Sequence, residues 1–506
     1  MAAFIARWPF FVLLMGIGSA AMLLPAIHAL ILDDHALSRV FLYSALLFFM
    51  MTVFIAFATS NYRTANMARG YLITLLATFL ILPFMLAVPI YEAVATMSYL
   101  DAWFEAVSSL TTTGATLYDN PRDLPLPVHF WRAILGWLGG LIIWVTAIAI
   151  LAPLNIGGFE VRAEGNAVQR QRTYAQVGRT TDPSERLARF GAKFIPLYSA
   201  LTGLLTLLLM STGELPFVAL CHAMAVMSTS GISPVGGVLF SSSGFPGELI
   251  IFAFFVFALS RGTFSRGLPG QDLKPVWQDS EVRLGLSLVG LLTLALFLRH
   301  GLLAFEEDAN NSVFLALRAV WGAIFTLMSF LTTTGFESAS WTATQDWSGL
   351  GTPGLILLGV AFIGGGVATT AGGIKLLRLY ALWKHGQREV ERLVMPSSVA
   401  GAGRDARQIR RQGAQIAWIF FMLFVLSIAA VMVLLSLSGV QFETAMVLAV
   451  SALTTTGPLA EIAGETPISY ASVPDFGKIV LAIAMVLGRL EALALLALFN
   501  PEFWRR

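Results

Sequence analysis

The chain has 506 residues, of which 57% are hydrophobic and only 12% are charged, and its mean hydropathy is +0.75. Soluble domains carry about 25% charged residues, so this composition excludes an ordinary soluble protein and indicates an integral membrane protein. The net charge of +2 gives no indication of nucleic-acid binding, and the single cysteine, Cys221, excludes an internal disulfide bond and a cysteine-based metal cluster.

Ten apolar stretches predict membrane-spanning helices. The first stretch follows Arg7 and is too long for the core of a signal peptide, so we expect it to be retained as a membrane helix. The predicted spans are 9–31, 38–58, 70–96, 128–152, 191–211, 247–261, 284–300, 352–380, 414–437 and 476–499.

Four shorter apolar segments lie between these spans, at 101–113, 215–230, 313–334 and 441–456. We interpret them as too short to cross a bilayer, and such segments are more often re-entrant or buried. Each contains or adjoins a phrase of three hydroxyl residues followed by glycine, and the copies recur roughly every 100–120 residues. The four phrases are Thr111-Thr112-Thr113-Gly114, Ser228-Thr229-Ser230-Gly231, Thr332-Thr333-Thr334-Gly335 and Thr454-Thr455-Thr456-Gly457.

The repeating unit is therefore a span, a half-helix, a glycine turn and a second span. It occurs four times after two leading spans, which predicts an all-α polytopic membrane protein with four helix–pore-loop–helix repeats around a central pore plus two N-terminal transmembrane helices. The predicted boundaries are 1–66 for the leading helices and 67–160, 161–275, 276–400 and 401–506 for pore repeats one to four, with an interrupted gating helix in the third.

Arginine and lysine fall almost entirely on one side of a ten-span topology, and acidic residues such as Asp33, Asp119 and Glu306 fall on the other. The positive-inside rule then predicts that both termini are cytoplasmic and that the half-helices enter from outside. Two long basic loops, 155–190 and 381–411, fit either a solvated cytoplasmic face or a docking surface for a cytoplasmic regulator.

The repeated phrase contains the groups that a cation needs when it leaves water. Backbone carbonyls replace hydration oxygens without a fixed charge, and hydroxyls can coordinate the ion as well. Glycine is expected where the backbone must take a conformation that a β-carbon disfavours. The alternative, that each phrase is only a helix end with a glycine cap, does not explain four copies in matching positions. The predicted cation-binding residues are Thr112, Thr113, Gly114, Thr229, Ser230, Gly231, Thr333, Thr334, Gly335, Thr455, Thr456 and Gly457.

Span eight contains the glycine-rich run Gly364-Gly365-Gly366-Val367-Ala368-Thr369-Thr370-Ala371-Gly372-Gly373-Ile374-Lys375. Glycine costs about 1 kcal/mol relative to alanine in a helix interior, so this run predicts a broken helix. Its loop would lie in the permeation path as a gate, unless the glycines serve only for close packing against a neighbouring helix. The predicted gate residues in this run are Gly364, Gly365, Gly366, Thr369, Thr370, Gly372, Gly373 and Lys375.

The last span contains Arg489, which we assign to the gate as well. An ionised residue within a membrane segment is costly and indicates function by default. A positive charge beneath the filter would repel resident cations and slow their flow. The alternative is that this span begins earlier and that Arg489 lies at its cytoplasmic end. Glu491 is two residues away and does not share a helix face with it.

These residues resemble the Trk/Ktr/HKT superfamily of potassium transporters, most closely TrkH/TrkG-type subunits, over essentially the whole chain. The resemblance is most specific at the glycine of each phrase, at 368–375 and at 488–491. It implies a potassium filter formed by the four phrases, an intramembrane gating loop at 364–374 and an arginine, Arg489, below the filter. It also implies a homodimer in the bacterial inner membrane and a cytoplasmic TrkA-like nucleotide-binding partner. The implied ligand is K⁺ as the transported ion, without a cofactor.

Potassium uptake through a channel-like pore is therefore the main functional prediction. In plant members of the superfamily a serine at the first filter glycine accompanies sodium transport, so Gly114 favours potassium. A sodium- or proton-coupled transporter on the same scaffold is the alternative, although such transporters usually place ionisable groups near the membrane midplane. A membrane-embedded enzyme would need a nucleophile–base pair or metal ligands, and the sequence has neither His-Glu-x-x-His nor Gly-x-Ser-x-Gly. No ATP-binding Gly-x-x-x-x-Gly-Lys-[Ser/Thr] motif occurs, so nucleotide control would come from a partner.

Overall fold

The computed structural model describes residues 8–59, 67–151, 183–260, 278–303, 312–349, 354–395, 411–464 and 466–490. The regular secondary structure within these ranges is helical, without a β-strand. Eight of the helices in the described ranges are long and apolar enough to cross a membrane. The predicted all-α polytopic membrane fold is thereby confirmed.

The helices are numbered in chain order. They are α1 (Phe10–Ala21), α2 (Leu23–Ile31), α3 (His35–Thr59), α4 (Met67–Leu80), α5 (Leu82–Ala93), α6 (Tyr99–Leu110), α7 (Leu126–Thr146), α8 (Pro183–Ser211), α9 (Pro216–Ser228), α10 (Gly244–Phe254), α11 (Val256–Leu259), α12 (Ser280–Leu303), α13 (Ser312–Leu331), α14 (Trp341–Ser348), α15 (Gly354–Ile363), α16 (Leu376–Val394), α17 (Arg411–Leu437), α18 (Phe442–Leu453), α19 (Leu459–Ile462) and α20 (Asp475–Leu490). Short 3₁₀ turns lie at Pro121–Asp123, Val238–Phe240 and Tyr470–Ser472.

Seven of the ten predicted spans coincide with long apolar helices. The sixth is a shorter apolar helix, Gly244–Leu259, the eighth breaks after Ile363, and the tenth is described only as far as Leu490. The eighth long helix is α13, which we had predicted to be too short to cross. That prediction is wrong on length, because α13 runs for 20 residues without a proline. The other three half-helices, α6, α9 and α18, have 12 or 13 residues.

The four half-helices α6, α9, α13 and α18 pack in the interior of the bundle. The residue five positions before each phrase is fully buried in all four, and it is small in three of them, which permits close helix approach. These residues are Ala106, Ala223, Leu327 and Ala449. The last described helix, α20, packs against both α18 and α6, so the fourth repeat lies beside the first and the bundle closes on itself.

Candidate functional site

Each half-helix ends in the same backbone turn at its hydroxyl phrase. The second residue of the phrase has a positive φ between 53° and 57° in all four copies: Thr112, Thr229, Thr333 and Thr455. The N–H of the next residue donates to the carbonyl five residues earlier, at 2.9 Å in every copy. This is the Schellman turn that ends many helices, with threonine where glycine is usual. A β-branched residue rarely takes this conformation, so the surrounding structure must impose it.

The glycine of each phrase lies two residues beyond the capping threonine, so a glycine helix cap does not account for it. Gly114, Gly231 and Gly335 have positive φ values of 74°, 65° and 79°, as expected. Gly457 does not, and the expectation that it takes the same conformation is wrong. The physical reason is its neighbour, because Pro458 disfavours compact backbone at the residue before it.

The four phrases contact one another in chain order and form what we call the loop ring, residues 111–114, 228–231, 332–335 and 454–457. A β-carbon on Gly114 would collide with the carbonyl oxygen of Ser230, and one on Gly231 would collide with that of Thr334. A β-carbon on Gly335 would lie 3.0 Å from Pro458 Cγ in repeat four. The ring closes where the N–H of Gly457 donates to the Thr113 carbonyl at 2.6 Å. The structure thus brings the predicted filter residues of all four repeats together.

The hydroxyls of each phrase divide into two groups. The first and third hydroxyls lie 2.8–3.2 Å from each other within each copy, which fixes the shape of the loop. The second hydroxyl differs between repeats. Thr229 donates to the Ser228 carbonyl and Thr333 accepts from the Gly372 N–H, both at 2.7 Å. The buried hydroxyls of Thr112 and Thr455 have no hydrogen-bond partner among the described residues, which leaves two oxygens available to a ligand.

Buried polar side chains hold the segments that follow the phrases, and the sequence analysis missed them. In repeat one, Glu105 Oε1 accepts from Thr116 Oγ1 at 2.9 Å and from the Leu117 N–H at 2.7 Å. Its other oxygen forms an ion pair with Arg132 at 2.8 Å, and both side chains are at most 4% exposed. The available signal was the occurrence of two ionisable residues in apolar segments of the same repeat.

The other repeats use different anchors at the corresponding places. In repeat two, His222 Nε2 lies 2.8 Å from Ser233 Oγ. In repeat three, Glu248 of α10 accepts from the Ser338 hydroxyl at 2.8 Å and the Ala339 N–H at 2.7 Å. Its partners come from 90 residues further along the chain, so no local pattern indicated it.

The fourth anchor is Tyr470, which donates its hydroxyl to the Gly457 carbonyl at 3.0 Å. In each of the four repeats, a different buried polar side chain therefore holds the loop by hydrogen bonds.

Span eight is interrupted as predicted, because α15 ends at Ile363 and α16 begins at Leu376. We call 364–375 the glycine-rich loop. Its Gly372 N–H donates to the Thr333 hydroxyl, and a β-carbon on Gly372 would collide with Thr455 Oγ1. Its Thr370 hydroxyl donates to the Met227 carbonyl at 3.3 Å. The loop therefore lies directly against the second hydroxyls of repeats three and four and beside the end of α9.

Two basic residues bind carbonyls of this loop. Arg489 Nη1 donates to the Thr370 carbonyl at 2.5 Å, and the Lys375 ammonium donates to the Ala371 carbonyl. Both side chains belong to buried residues, at about 5% exposure. Arg489 lies in the last turn of the described part of α20 and is buried against the loop. Two positive charges therefore lie beside the loop.

Some expectations fall partly or wholly outside the described residues. Residues 155–182 and 396–410 of the two basic loops, and Glu491, are among them. The described parts of those loops belong to helices α8 and α16, except Met395 at the end of α16 and Arg411, the first residue of α17. Within the described ranges, no group of three or more His, Cys, Asp or Glu side chains could hold a metal ion.

A helical membrane protein whose four repeated phrases meet in one ring has the arrangement of the pore-loop class of membrane proteins. A family model described as "TrkH: Cation transport protein" matches residues 37–182 and 281–506. The chain belongs to this family, which is one of transport proteins rather than enzymes, and the resemblance stated from the sequence is confirmed.

Individual relatives agree over nearly the whole chain. The Trk system potassium uptake protein TrkH of Salmonella typhimurium is 31% identical, over 96% of each chain. The Trk system potassium uptake protein TrkG of Escherichia coli is 27% identical, again over 96% of each chain. The crystal structure of the potassium transporter TrkH from Vibrio parahaemolyticus is similar with a TM-score of 0.82, at 27% identity, over 99% of this chain and 100% of that one.

Proposed function

We propose that this protein takes up K⁺ across the bacterial inner membrane through the loop ring, as the membrane subunit of a Trk-type system. The observation that carries the proposal is the closed ring of four phrases, in which the buried hydroxyls of Thr112 and Thr455 have no partner within the described ranges. A cation that sheds water needs replacement oxygens of this kind. The relatives named as potassium uptake proteins and the glycine at position 114 support K⁺ as the ion.

The glycine-rich loop is proposed as the gate of this pathway, closed in the arrangement described above. It fills the space next to Thr333 and Thr455, where an ion leaving the ring would have to pass. Arg489 and Lys375 bind its carbonyls and add positive charge that repels cations at this position. Opening therefore requires these hydrogen bonds to break together with the contact to the ring.

The orientation and partners belong to the same proposal. Both termini are cytoplasmic by the positive-inside rule, which places the glycine-rich loop on the cytoplasmic side of the ring. The protein acts as a homodimer, and a cytoplasmic TrkA-like nucleotide-binding subunit moves the gate. The absence of an ATP-binding motif from the sequence supports control by a separate subunit.

A sodium- or proton-coupled transporter is the weaker candidate. Such a mechanism needs an ionisable group that faces the substrate near the midplane. The buried carboxylate nearest the first phrase, Glu105, is already ion-paired with Arg132 and accepts two further hydrogen bonds. Arg489 binds the glycine-rich loop and would repel a cation. Passive flow down the electrical gradient fits these contacts better.

The test is ion flux by the purified protein in potassium-loaded vesicles, scored for K⁺, Rb⁺, Na⁺ and Li⁺. We expect flux of K⁺ and Rb⁺, with relaxed selectivity in Gly114→Ser, because a side chain there collides with the Ser230 carbonyl. Gly203→Ser is the matched control, since Gly203 is exposed on α8 with nothing within 4 Å of an added β-carbon. Equal Na⁺ flux in the unmodified protein would overturn the assignment of K⁺. If no ion moves, the cytoplasmic partner is added and the series repeated.

A further inference from the structure

The loop ring is not symmetric at the glycines that end the phrases. Pro458 follows the fourth phrase, and β-carbons placed on Gly231 and Gly335 would each lie 3.0 Å from its Cγ. Because the phrases contact one another in chain order, repeat two is diagonally opposite repeat four. The pyrrolidine ring of Pro458 therefore extends from its own repeat across the opening to the glycine of the opposite one.

The corresponding residues of the other repeats point elsewhere. Ile232 is 3% exposed and its Cδ1 would lie 3.0 Å from a β-carbon on Gly136 of α7, behind the ring. Phe336 is 1% exposed and packs edge-on against His222, with ring centroids 5.4 Å apart. Ala115 carries only a methyl group. Among these four positions, Pro458 alone places a ring against the glycines of two other repeats.

Hydrogen bonds fix the backbone that carries Pro458. The Gly457 carbonyl accepts from the Tyr470 hydroxyl at 3.0 Å and from the Ala460 N–H at 3.2 Å, and the Gly457 N–H donates to the Thr113 carbonyl at 2.6 Å. The Tyr470 hydroxyl also lies 2.6 Å from Ser451 Oγ, and Tyr470 is only 3% exposed. Both polar groups of Gly457 are thus engaged within the protein, so this glycine does not offer its carbonyl freely to an ion.

We propose that Pro458 is a specificity-determining residue of the ion pathway and that Tyr470 is the positioning residue that holds it across the opening. This inference rests on the proposed function. Beside the glycines of repeats two and three, Pro458 presents an apolar side chain, and the Gly457 carbonyl is already hydrogen-bonded within the protein. An ion passing it loses hydration on that side without a replacement. The loss of hydration costs more for Na⁺ and Li⁺ than for K⁺, because a smaller ion holds its water more tightly. The Pro458 side chain therefore disfavours the passage of the smaller ions.

The experiment compares Pro458→Ala, Pro458→Val and Tyr470→Phe in the purified full chain, with Na⁺ and K⁺ flux into vesicles as the first readout. The second readout does not depend on ion conduction. It is the concentration of K⁺ or of Na⁺ that is needed to raise the unfolding temperature, since a ligand stabilises the folded state that binds it. Tyr99→Phe is the matched control, because Tyr99 donates its hydroxyl to the Phe84 carbonyl at 2.8 Å and touches neither Gly457 nor Pro458.

We expect Pro458→Ala to raise the Na⁺-to-K⁺ flux ratio several-fold. The concentrations of Na⁺ and of K⁺ that raise the unfolding temperature should also become more similar. Pro458→Val keeps an apolar branched side chain and is expected to stay near the unmodified ratio. Tyr470→Phe removes one hydrogen bond and is expected to shift the ratio in the same direction by about two- to tenfold. Tyr99→Phe leaves the ratio unchanged.

Equal ratios in Pro458→Ala and the unmodified protein, by either readout, would overturn the inference and leave Pro458 as a turn residue only. If Pro458→Ala does not fold, an unchanged ratio in Tyr470→Phe has the same consequence. The two proposals can fail separately. If the unmodified protein shows no preference for K⁺, the proposed function is contradicted, whereas the role of Pro458 is judged on the difference in Na⁺-to-K⁺ flux ratio between the variants and the unmodified protein.

Discussion

Arg489 donates a hydrogen bond from Nη1 to the backbone carbonyl of Thr370, across 119 positions of sequence and at 2.5 Å. This contact joins the last described helix to the glycine-rich loop. A hydrogen bond from a charged donor contributes about 1.5–3 kcal/mol, roughly twice the net value of a neutral one. The contact therefore has enough free energy to bias the loop between two positions.

The first prediction concerns this contact. Arg489→Gln is expected to raise K⁺ flux in the absence of any partner, because losing about 1.5–3 kcal/mol of closed-state stabilisation raises the open population by about one to two orders of magnitude. The measurement is K⁺ efflux from vesicles containing the purified protein. Arg318→Gln is the control, since Arg318 lies exposed on α13. Unchanged or lower flux in Arg489→Gln would contradict the assignment of the glycine-rich loop as a closed gate.

The second prediction uses steric pressure on the same loop. In Gly372→Ala the new methyl group would collide with the Thr454 carbonyl and Thr455 Oγ1, so the loop must move away from the ring. We expect a higher basal K⁺ flux than in the unmodified protein. Gly386→Ala is the matched control, because an added β-carbon on Gly386 of α16 meets nothing within 4 Å. The prediction fails if the two alanine variants conduct at the same rate.

The third prediction concerns the buried ion pair of repeat one. Arg132→Leu leaves the Glu105 carboxylate buried without its counter-ion, which is expected to cost about 3–5 kcal/mol. The double variant with Glu105→Gln should recover part of this loss, because a glutamine oxygen can still accept from the Leu117 N–H. Thermal unfolding in detergent measures both. Equal unfolding temperatures for the single and double variants would indicate that Glu105 does not need Arg132.

The fourth prediction is a pH dependence that arises from Glu337, two residues beyond the third phrase. Burial, and then the negative charge of Glu461, raise the pKa of Glu337 to about 7. Burial and then Asp119 raise the pKa of Glu461 as well. Below about pH 7 the Glu337 carboxylate is therefore neutral and attracts fewer cations to the ring. We expect K⁺ uptake to fall as external pH drops through this value, and Glu337→Gln to remove the dependence.

The raised pKa of Glu337 also determines the direction in which the stability of the fold changes with pH. A carboxyl group whose pKa is higher in the folded than in the unfolded chain binds its proton more tightly when folded, so stability falls as pH rises from about 4.5 to about 7. Glu337→Gln should flatten the unfolding temperature over this range. Glu443→Gln, at an exposed position near the start of α18, is the control and should leave both pH profiles as they are. A profile that is identical in Glu337→Gln and the unmodified protein would assign the titration to another group.

Repetition is what made the fold predictable. The hydroxyl-glycine phrases marked the four half-helices and the glycine-rich run marked the broken helix, because both patterns are local and depend on backbone preference. The turn itself was not predictable from propensity. Threonine disfavours the conformation that Thr112 and Thr333 adopt, and only the packed ring around them can impose it. The length of α13 was misjudged because nothing in its sequence marks where a half-helix should begin.

Contacts between repeats were beyond the reach of sequence reasoning. Glu248 belongs to a span of repeat two by position, yet its hydrogen bonds hold Ser338 and Ala339 in repeat three. Pro458 directly follows the fourth phrase in the sequence, but its approach to Gly231 depends on which repeats face each other. Such relationships arise only once the ring has closed.

The four anchors behind the ring have a consequence for how this family can be compared and engineered. The loops of the four repeats are held in place by side chains of different chemistry. The anchors are Glu105 with Arg132, His222, Glu248 and Tyr470. The four loops share one backbone turn, while the side chains that support them differ in charge, in size and in the element that supplies them. Equivalent positions in the four loops are therefore not interchangeable, and we expect that a phrase exchanged between relatives needs its own anchor residues as well.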